Sequence, residues 1–177
     1  MALAQWSGGK VTGVDIDRTA LQLLAVNAEQ AGVTNQVNIV KKSMKAMNFP
    51  KDSFDIIWAE GAIAVVGFKR GLQSWKRFLK PNGYMVIHDD AQDIPEKRKI
   101  VADCGYRLIE EFFLDEQVWW DNYYGPLALR IAQFKAKASK DSALAAKLER
   151  SQQEIDGYHE HPERYRSVFF VFQRQPH

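Results

Sequence analysis

The sequence predicts an α/β domain built on a parallel β-sheet, and three stretches carry that prediction. Between Lys10 and Val40, a β-prone apolar run, an amphipathic helical stretch and a second apolar run follow one another with short joints. Strand, helix, strand with such joints is the pattern of a right-handed crossover between parallel strands. Lys80-Pro81-Asn82-Gly83 then marks a second passage from helix to strand, ahead of the apolar run Tyr84 to Ile87. Ser167 to Phe172 (Ser-Val-Phe-Phe-Val-Phe) is a strongly β-prone run that follows a long helical stretch.

Taken in order, Met1 to Ser7 reads as the tail of a helix that Gly8-Gly9 ends, too short to be stable alone. Val11 to Val14 is a buried strand, and Asp17 caps the helix that follows by accepting from its first backbone N–H groups. Ala20, Leu21, Leu24, Ala25 and Ala28 form its apolar stripe and Gly32 closes it, before the strand Val37 to Val40. Lys41 to Met44 is a polar exit, Asn48 to Ser53 a turn-rich connector, and Phe54 to Ala59 a strand that delivers Glu60 and Gly61 to the same edge as Asp15. Lys69 to Leu79 is an amphipathic helix; in the turn after it Pro81 stops the helix and Gly83 supplies positive φ. Glu96 to Cys104 is a helix ended by Gly105, and Tyr106 to Leu114 a strand. From Pro126 to about Tyr158 the chain is helical, with a break around Ser139 to Ser142.

Length and composition bound the function. A chain of 177 residues, 46% hydrophobic and 26% charged, is one ordinary globular domain with a real core, with the helical segment about 126–160 an insertion before the last strand. Its 24 basic and 22 acidic residues give a net charge of +2, which offers no field for a polyanion and argues against nucleic acid. Cys104 is the only cysteine, so no internal disulfide forms. Neither a membrane-length apolar run nor a signal-peptide pattern occurs, and a cytoplasmic location is expected.

In an open α/β sheet, ligands sit beyond the carboxyl ends of the strands, and an acid there can accept from both hydroxyls of a ribose. Asp15 stands at that position; read alone, it fits a ribose or a simple turn equally. Four motifs decide the matter. Val-Thr-Gly-Val-Asp-Ile-Asp at 11–17, Phe54 to Gly61, Leu79-Lys80-Pro81-Asn82-Gly83-Tyr84 and Cys104-Gly105-Tyr106 occur in an order and at spacings that resemble class I S-adenosylmethionine-dependent methyltransferases. The resemblance covers most of the chain. It implies a Rossmann-like sheet, mostly parallel, in which Ser167 to Phe172 is an antiparallel strand placed between the two strands that precede it. It further implies that Asp15 binds the cofactor ribose, that Ile16 packs on adenine, and that Ala59 and Glu60 border the methionine moiety. Ser43 and Met44 stand where the family commonly has an adenine-binding Asp, and offer a hydroxyl and a backbone group instead. The wording Trp-Ala-Glu-Gly-Ala-Ile with Gly-Phe-Lys-Arg-Gly-Leu resembles the small-molecule, ubiquinone/menaquinone-type branch.

The family begins with a central strand and a glycine-rich loop, and Gly8-Gly9 cannot stand in for it because they precede the second strand. The chain therefore resembles a methyltransferase sheet truncated at its amino end. Weak cofactor binding and association into a homodimer through an unpaired strand edge are expected.

Methyl transfer is an in-line displacement that needs a held acceptor, excluded water and, for a hydroxyl or protonated amine, a base. His88 and Asp89, in the run His88-Asp89-Asp90, are the catalytic candidates, histidine titrating in the right range. Helix capping with surface acids is the competing reading, and a metal on Asp89 and Asp90 is a weak one. Glu116 to Tyr124 is dense in aromatics; Trp119, Tyr123 and Tyr124, with Asp121 as polar group, are candidates for the pocket of a small-molecule acceptor. Aromatics at that density also suit a core, but Gly125-Pro126 after them argues for a surface loop. The tract Tyr158-His159-Glu160-His161 is read as solvated loop, Cys104 as a buried small residue, and the basic residues of 130–150 as a solvated helix face. A nicotinamide-dependent dehydrogenase and a non-catalytic ligand-binding or dimerising remnant are the alternatives.

Overall fold

Gly13 lies in the middle of strand β1 (Val11–Asp15), where any Cβ would run into Leu24 of helix α2 (Arg18–Gln30). That close approach seats the crossover helix on its strand. β1 pairs in parallel with β2 (Val37–Lys41), in register from Val11 opposite Val37 to Asp15 opposite Lys41. The cap on α2 is as expected: Asp17 Oδ1 accepts from the Thr19 N–H at 2.8 Å. Helix α1 (Ala2–Ser7) ends at Gly8, whose φ of 63° is the left-handed conformation that closes a helix. Ala4, Ala28 and Val33 form a small buried core with Val11 and Val37 against it. The computed structural model describes residues 1–138 and 142–176, and the chain divides into two compact units, 1–50 and 51–177.

The second unit is built on a four-stranded sheet of order β3-β4-β6-β5. β3 (Phe54–Glu60) and β4 (Leu79–Asp90) are parallel, with Glu60 opposite His88 at their carboxyl ends. β6 (Ser167–Arg174) runs antiparallel between β4 and β5 (Tyr106–Leu114). Its place is the one the resemblance implies, but the expectation of a mostly parallel sheet needs correction. A reversed strand in the interior makes two antiparallel ladders, whereas at an edge it would make one. Most pairing in this sheet is therefore antiparallel.

Helix α3 (Ile63–Val66) leads through Gly67 into α4 (Phe68–Trp75), which, with α5 (Ile94–Asp103), packs on the sheet face that carries Phe170 and Phe172. Phe68 meets those rings at 5.9 and 6.4 Å, and Leu72, Phe78, Met85, Ile87 and Val101 are buried beside them. The Tyr106 hydroxyl donates to the Leu72 carbonyl at 3.1 Å, tying β5 to α4.

Local expectations are corrected in two places. Lys80–Gly83, expected as a turn, lies within β4 where its register with β3 shifts; positive φ falls on Asn82 (60°), and Gly83 is there for space: a Cβ would lie 2.9 Å from the Lys80 carbonyl oxygen and 3.1 Å from that of Asp55. Helix α4 also stops at Trp75, and Leu79 already opens β4. Second, Glu116–Tyr124 is helical rather than a surface loop. α6 (Glu116–Trp119) passes through a π-helical turn, Trp120–Tyr124, into α7 (Gly125–Ala138). Pro126 follows the π-helical turn directly, so Gly125-Pro126 lies within a continuous helical run. α8 (Ser142–Glu160) packs on α7 around Tyr124, Ile131, Ile155 and Tyr158, a second core of aromatic character. Of the break expected at Ser139 to Ser142, residues 139–141 lie outside the described residues. Among the described residues no helix is long and apolar enough to cross a membrane.

Candidate functional site

In the first unit the carboxyl ends of β1 and β2 bring Asp15 and Ser43 to one edge. The ladder ends at Asp15 opposite Lys41, and the Lys42 N–H donates to the Asp15 carbonyl at 2.9 Å. Asp15 is half-buried, and its Oδ1 accepts from the Asp17 N–H at 2.8 Å, which fixes the carboxylate and leaves Oδ2 outside that bond. Ile16 projects beside it, 66% exposed. Ser43 Oγ accepts from the Lys45 N–H at 3.3 Å and caps the turn Met44–Ala46. A hydroxyl used as an acceptor keeps its proton to donate. The donor set suits a ribose and the apolar face of a base.

In the second unit the register aligns Glu60, His88, Phe169 and Phe112 in one row across all four strands. Side chains opposite each other on neighbouring strands share a face and touch. The His88 ring stacks on Phe169 (4.4 Å between centroids, 17° between planes), and Phe112 stacks on the same ring from the far side (5.0 Å, 13°). Trp119 of α6 lies over His88 at 5.9 Å and 24°, and Tyr123 meets Trp119 edge to face. Trp58, one pleat before Glu60, approaches Phe169 at 6.2 Å and donates its indole N–H to Glu60 Oε1 at 2.6 Å. His88 Nε2 is buried and has no hydrogen-bond partner among the described residues. Burial pushes this imidazole below its ordinary 6.5, against the upward pull of the Glu60 and Asp89 carboxylates.

Asp89 points to the opposite face, as the pleat requires. Its carboxylate is almost fully buried in an ion pair with Lys97 of α5, at 2.8 Å. The same ammonium reaches Asp90 Oδ1 at 2.8 Å and the Asp90 carbonyl at 2.7 Å. Burial pushes the Asp90 carboxyl up. The hydrogen bonds from Lys97 and the Gln92 N–H outweigh that and hold it below its ordinary 3.8. One lysine therefore ties α5 to the carboxyl end of β4.

The remaining pocket candidates separate. Trp119 and Tyr123 lie on the His88 side, Tyr123 with nearly half its surface open. Asp121 is exposed and accepts from Gln117 Nε2 at 2.9 Å. Tyr124 is buried in the helical core against Tyr158 and Tyr165, where burial raises its hydroxyl far above the ordinary tyrosine range. Ala59 is buried at the end of β3, its neighbour Glu60 exposed. Trp58, Phe112, Phe169 and Lys97 were not singled out from sequence. Ile56, Trp58 and Glu60 alternate at period two and mark one face of β3, but which strands carry the matching rings is set by register alone.

Comparison with known proteins is consistent with this geometry. The model of the Methyltransferase domain family matches residues 1–87. Over 150 residues the chain is 24% identical to a sterol 24-C-methyltransferase of Gibberella zeae, covering 80% of this chain and 37% of that protein. It is 27% identical over 98 residues to the ubiquinone/menaquinone biosynthesis C-methyltransferase of Pectobacterium atrosepticum, covering 55% of this chain and 39% of that one. The chain thus spans less than two fifths of the length of these relatives. A SAM-dependent methyltransferase of Geobacter sulfurreducens, crystallised with S-adenosyl-L-homocysteine, superposes with a TM-score of 0.77 at 19% identity. That match covers 99% of this chain and 80% of the other. The fold is α/β and Rossmann-like, that of the class I S-adenosylmethionine-dependent methyltransferases.

Proposed function

We propose that this chain transfers a methyl group from S-adenosylmethionine to a small molecule. The observation that carries the reading is Asp15, an acid at the carboxyl end of a parallel strand with its carboxylate oriented by the Asp17 N–H. Asp15 accepts from the ribose hydroxyls, Ile16 covers adenine, and Ser43 donates to the base with Met44 beside it. Ala59 and Glu60 are assigned to the methionine end on the resemblance alone. When bound, the cofactor supplies an electrophilic sulfonium methyl.

The chain's own chemistry is proton removal and exclusion of water. His88, neutral at physiological pH and with Nε2 unpaired, receives a proton from the acceptor's X–H bond. Phe169 and Trp119 both stack on the imidazole and so restrict its orientation. Asp89 acts through position: its pair with Lys97 anchors the strand end that presents His88. Trp119 and Tyr123 wall the acceptor, Asp121 adds a carboxylate at its rim, and Tyr124 backs them from the helical core.

The narrower ubiquinone/menaquinone-type assignment rests on the local likeness to the Pectobacterium protein and on the Trp58 to Leu72 wording. We also propose a cytoplasmic location and pairing of two copies of the chain. The test is a transfer assay with methyl-labelled S-adenosylmethionine and a panel of small amines, phenols and quinols. Label should pass to a small molecule, and His88→Gln should slow this by about 10²-fold or more. Saturable cofactor binding without transfer to any acceptor would instead favour the non-catalytic remnant.

A further inference from the structure

The aromatic face around His88 has a charge pattern that bears on the chemical class of the acceptor. Glu60 and Glu110 are the carboxylates on the part of the face that carries Trp58, Phe169 and Phe112. Arg107, toward the other end of β5, donates to the neutral Gln173 at 2.6 Å and keeps its charge there, away from Phe112, while Lys80 is paired with Asp55 at 2.9 Å. The segment that supplies Trp119 and Tyr123 contributes Glu116 and Asp121 and has no Lys, Arg or His. Trp58, Phe112 and Tyr123 each expose more than 40% of their surface here, and His88 Nε2 is buried without a hydrogen-bond partner among the described residues. Aromatic rings bordered by carboxylates, with no free cation beside them among the described residues, attract a positively charged group and repel an anion.

The geometry points to a small cationic amine as the methyl acceptor, seated on Trp58, countered by Glu60 and deprotonated by His88. This rests on the methyltransferase reading above. Trp58 is the part most clearly built for the purpose. Its N–H holds Glu60 Oε1 at 2.6 Å, so one residue presents a ring and orients the counter-ion beside it. The step balances without a further reagent. The ammonium N–H proton passes to His88 Nε2, and the freed nitrogen pair forms the new N–C bond. The C–S bond electrons remain on sulfur as a thioether. The methylated product is again cationic, and His88 returns the proton to solvent.

The test uses the full chain and three probes that share a ring and differ in charge: benzyltrimethylammonium, benzyl alcohol and benzoate, each titrated calorimetrically. The cation should bind about tenfold or more tightly than the alcohol, with benzoate weakest. Glu60→Gln and Trp58→Leu should each remove most of that preference, read as the ratio of cation to alcohol affinity within the same variant. Alcohol or benzoate binding as tightly as the cation, in a wild-type chain that needs no variant to fold, would overturn the assignment. So would a cation preference that survives both substitutions. S-adenosylhomocysteine is titrated in parallel. Its binding without a cation preference overturns this inference and leaves the methyltransferase reading standing. A cation preference without its binding overturns that reading, and with it the amine's role as acceptor.

Discussion

His88 titrates in a place where protonation is disfavoured, and this has two consequences of known sign. Catalysis requires the neutral ring, so kcat should rise with pH and reach half its plateau below pH 6.5, because burial lowers this imidazole from that ordinary value. A His88→Gln protein should lose that limb of the profile along with its rate. Stability follows the same group. Above pH 6.5 the ring is neutral in the folded and the unfolded chain; below it the unfolded chain takes up the proton first. The contribution present above 6.5 is therefore lost as pH falls toward the folded value, and the urea midpoint should drop on going from pH 7 to pH 5. Gly83 offers a test free of ionisation. Gly83→Ala should cost about 1–3 kcal/mol in urea unfolding, because the Lys80 and Asp55 carbonyls that crowd its Cβ position are backbone and cannot turn aside. The sequence pointed to the glycine but not to its reason. Asn and Gly both tolerate positive φ, and only the folded turn shows that Asn82 takes it while Gly83 makes room.

At the scale of elements, the joint between β4 and α5 decides how firmly the site is held. Lys97 and Asp89 are both about nine-tenths buried as side chains, and Asp90 adds a second carboxylate at the surface. Lys97→Met leaves a buried carboxylate without its counter-ion and should destabilise the chain by about 3–5 kcal/mol in denaturant titration. Asp89→Asn in the same chain should recover part of that loss. None of this was legible beforehand, since a lysine in an amphipathic helix reads as solvated until its partners are known. The strands were more transparent: β5 spans the expected Tyr106 to Leu114, and β3 exceeds its expected run by Glu60 alone. Continuous apolar and aromatic runs with β-branched residues leave little alternative. The aromatic helix was misread because Gly125-Pro126 suits a loop and a helix start alike. What separates them is the π-helical turn, which brings the Trp120 carbonyl to 2.9 Å from where a Gly125 Cβ would stand.

For the molecule as a whole, the fold was legible because its markers are local: a strand ending in Asp15, a Lys-Pro-Asn-Gly turn, a β-prone closing run. The place of that closing run between its two neighbours came from the resemblance, since strand order is a non-local property, and only the antiparallel majority it makes in the larger sheet went unexpected. The same holds for the candidate site. Asp15, Ile16 and Ser43 meet at one edge because β1 and β2 are close in sequence and parallel. The His88 row needed strands from residues 54, 79, 106 and 167 onward to come into register. The claim on which the functional account turns is that Asp15 grips a ribose. It is tested most directly by titrating S-adenosylhomocysteine into the wild-type chain and into Asp15→Ala. The account predicts saturable binding to the wild-type chain, weaker by about tenfold or more once the charged hydrogen-bond acceptor is gone. Equal affinities for the two chains, or no binding to either, would contradict it.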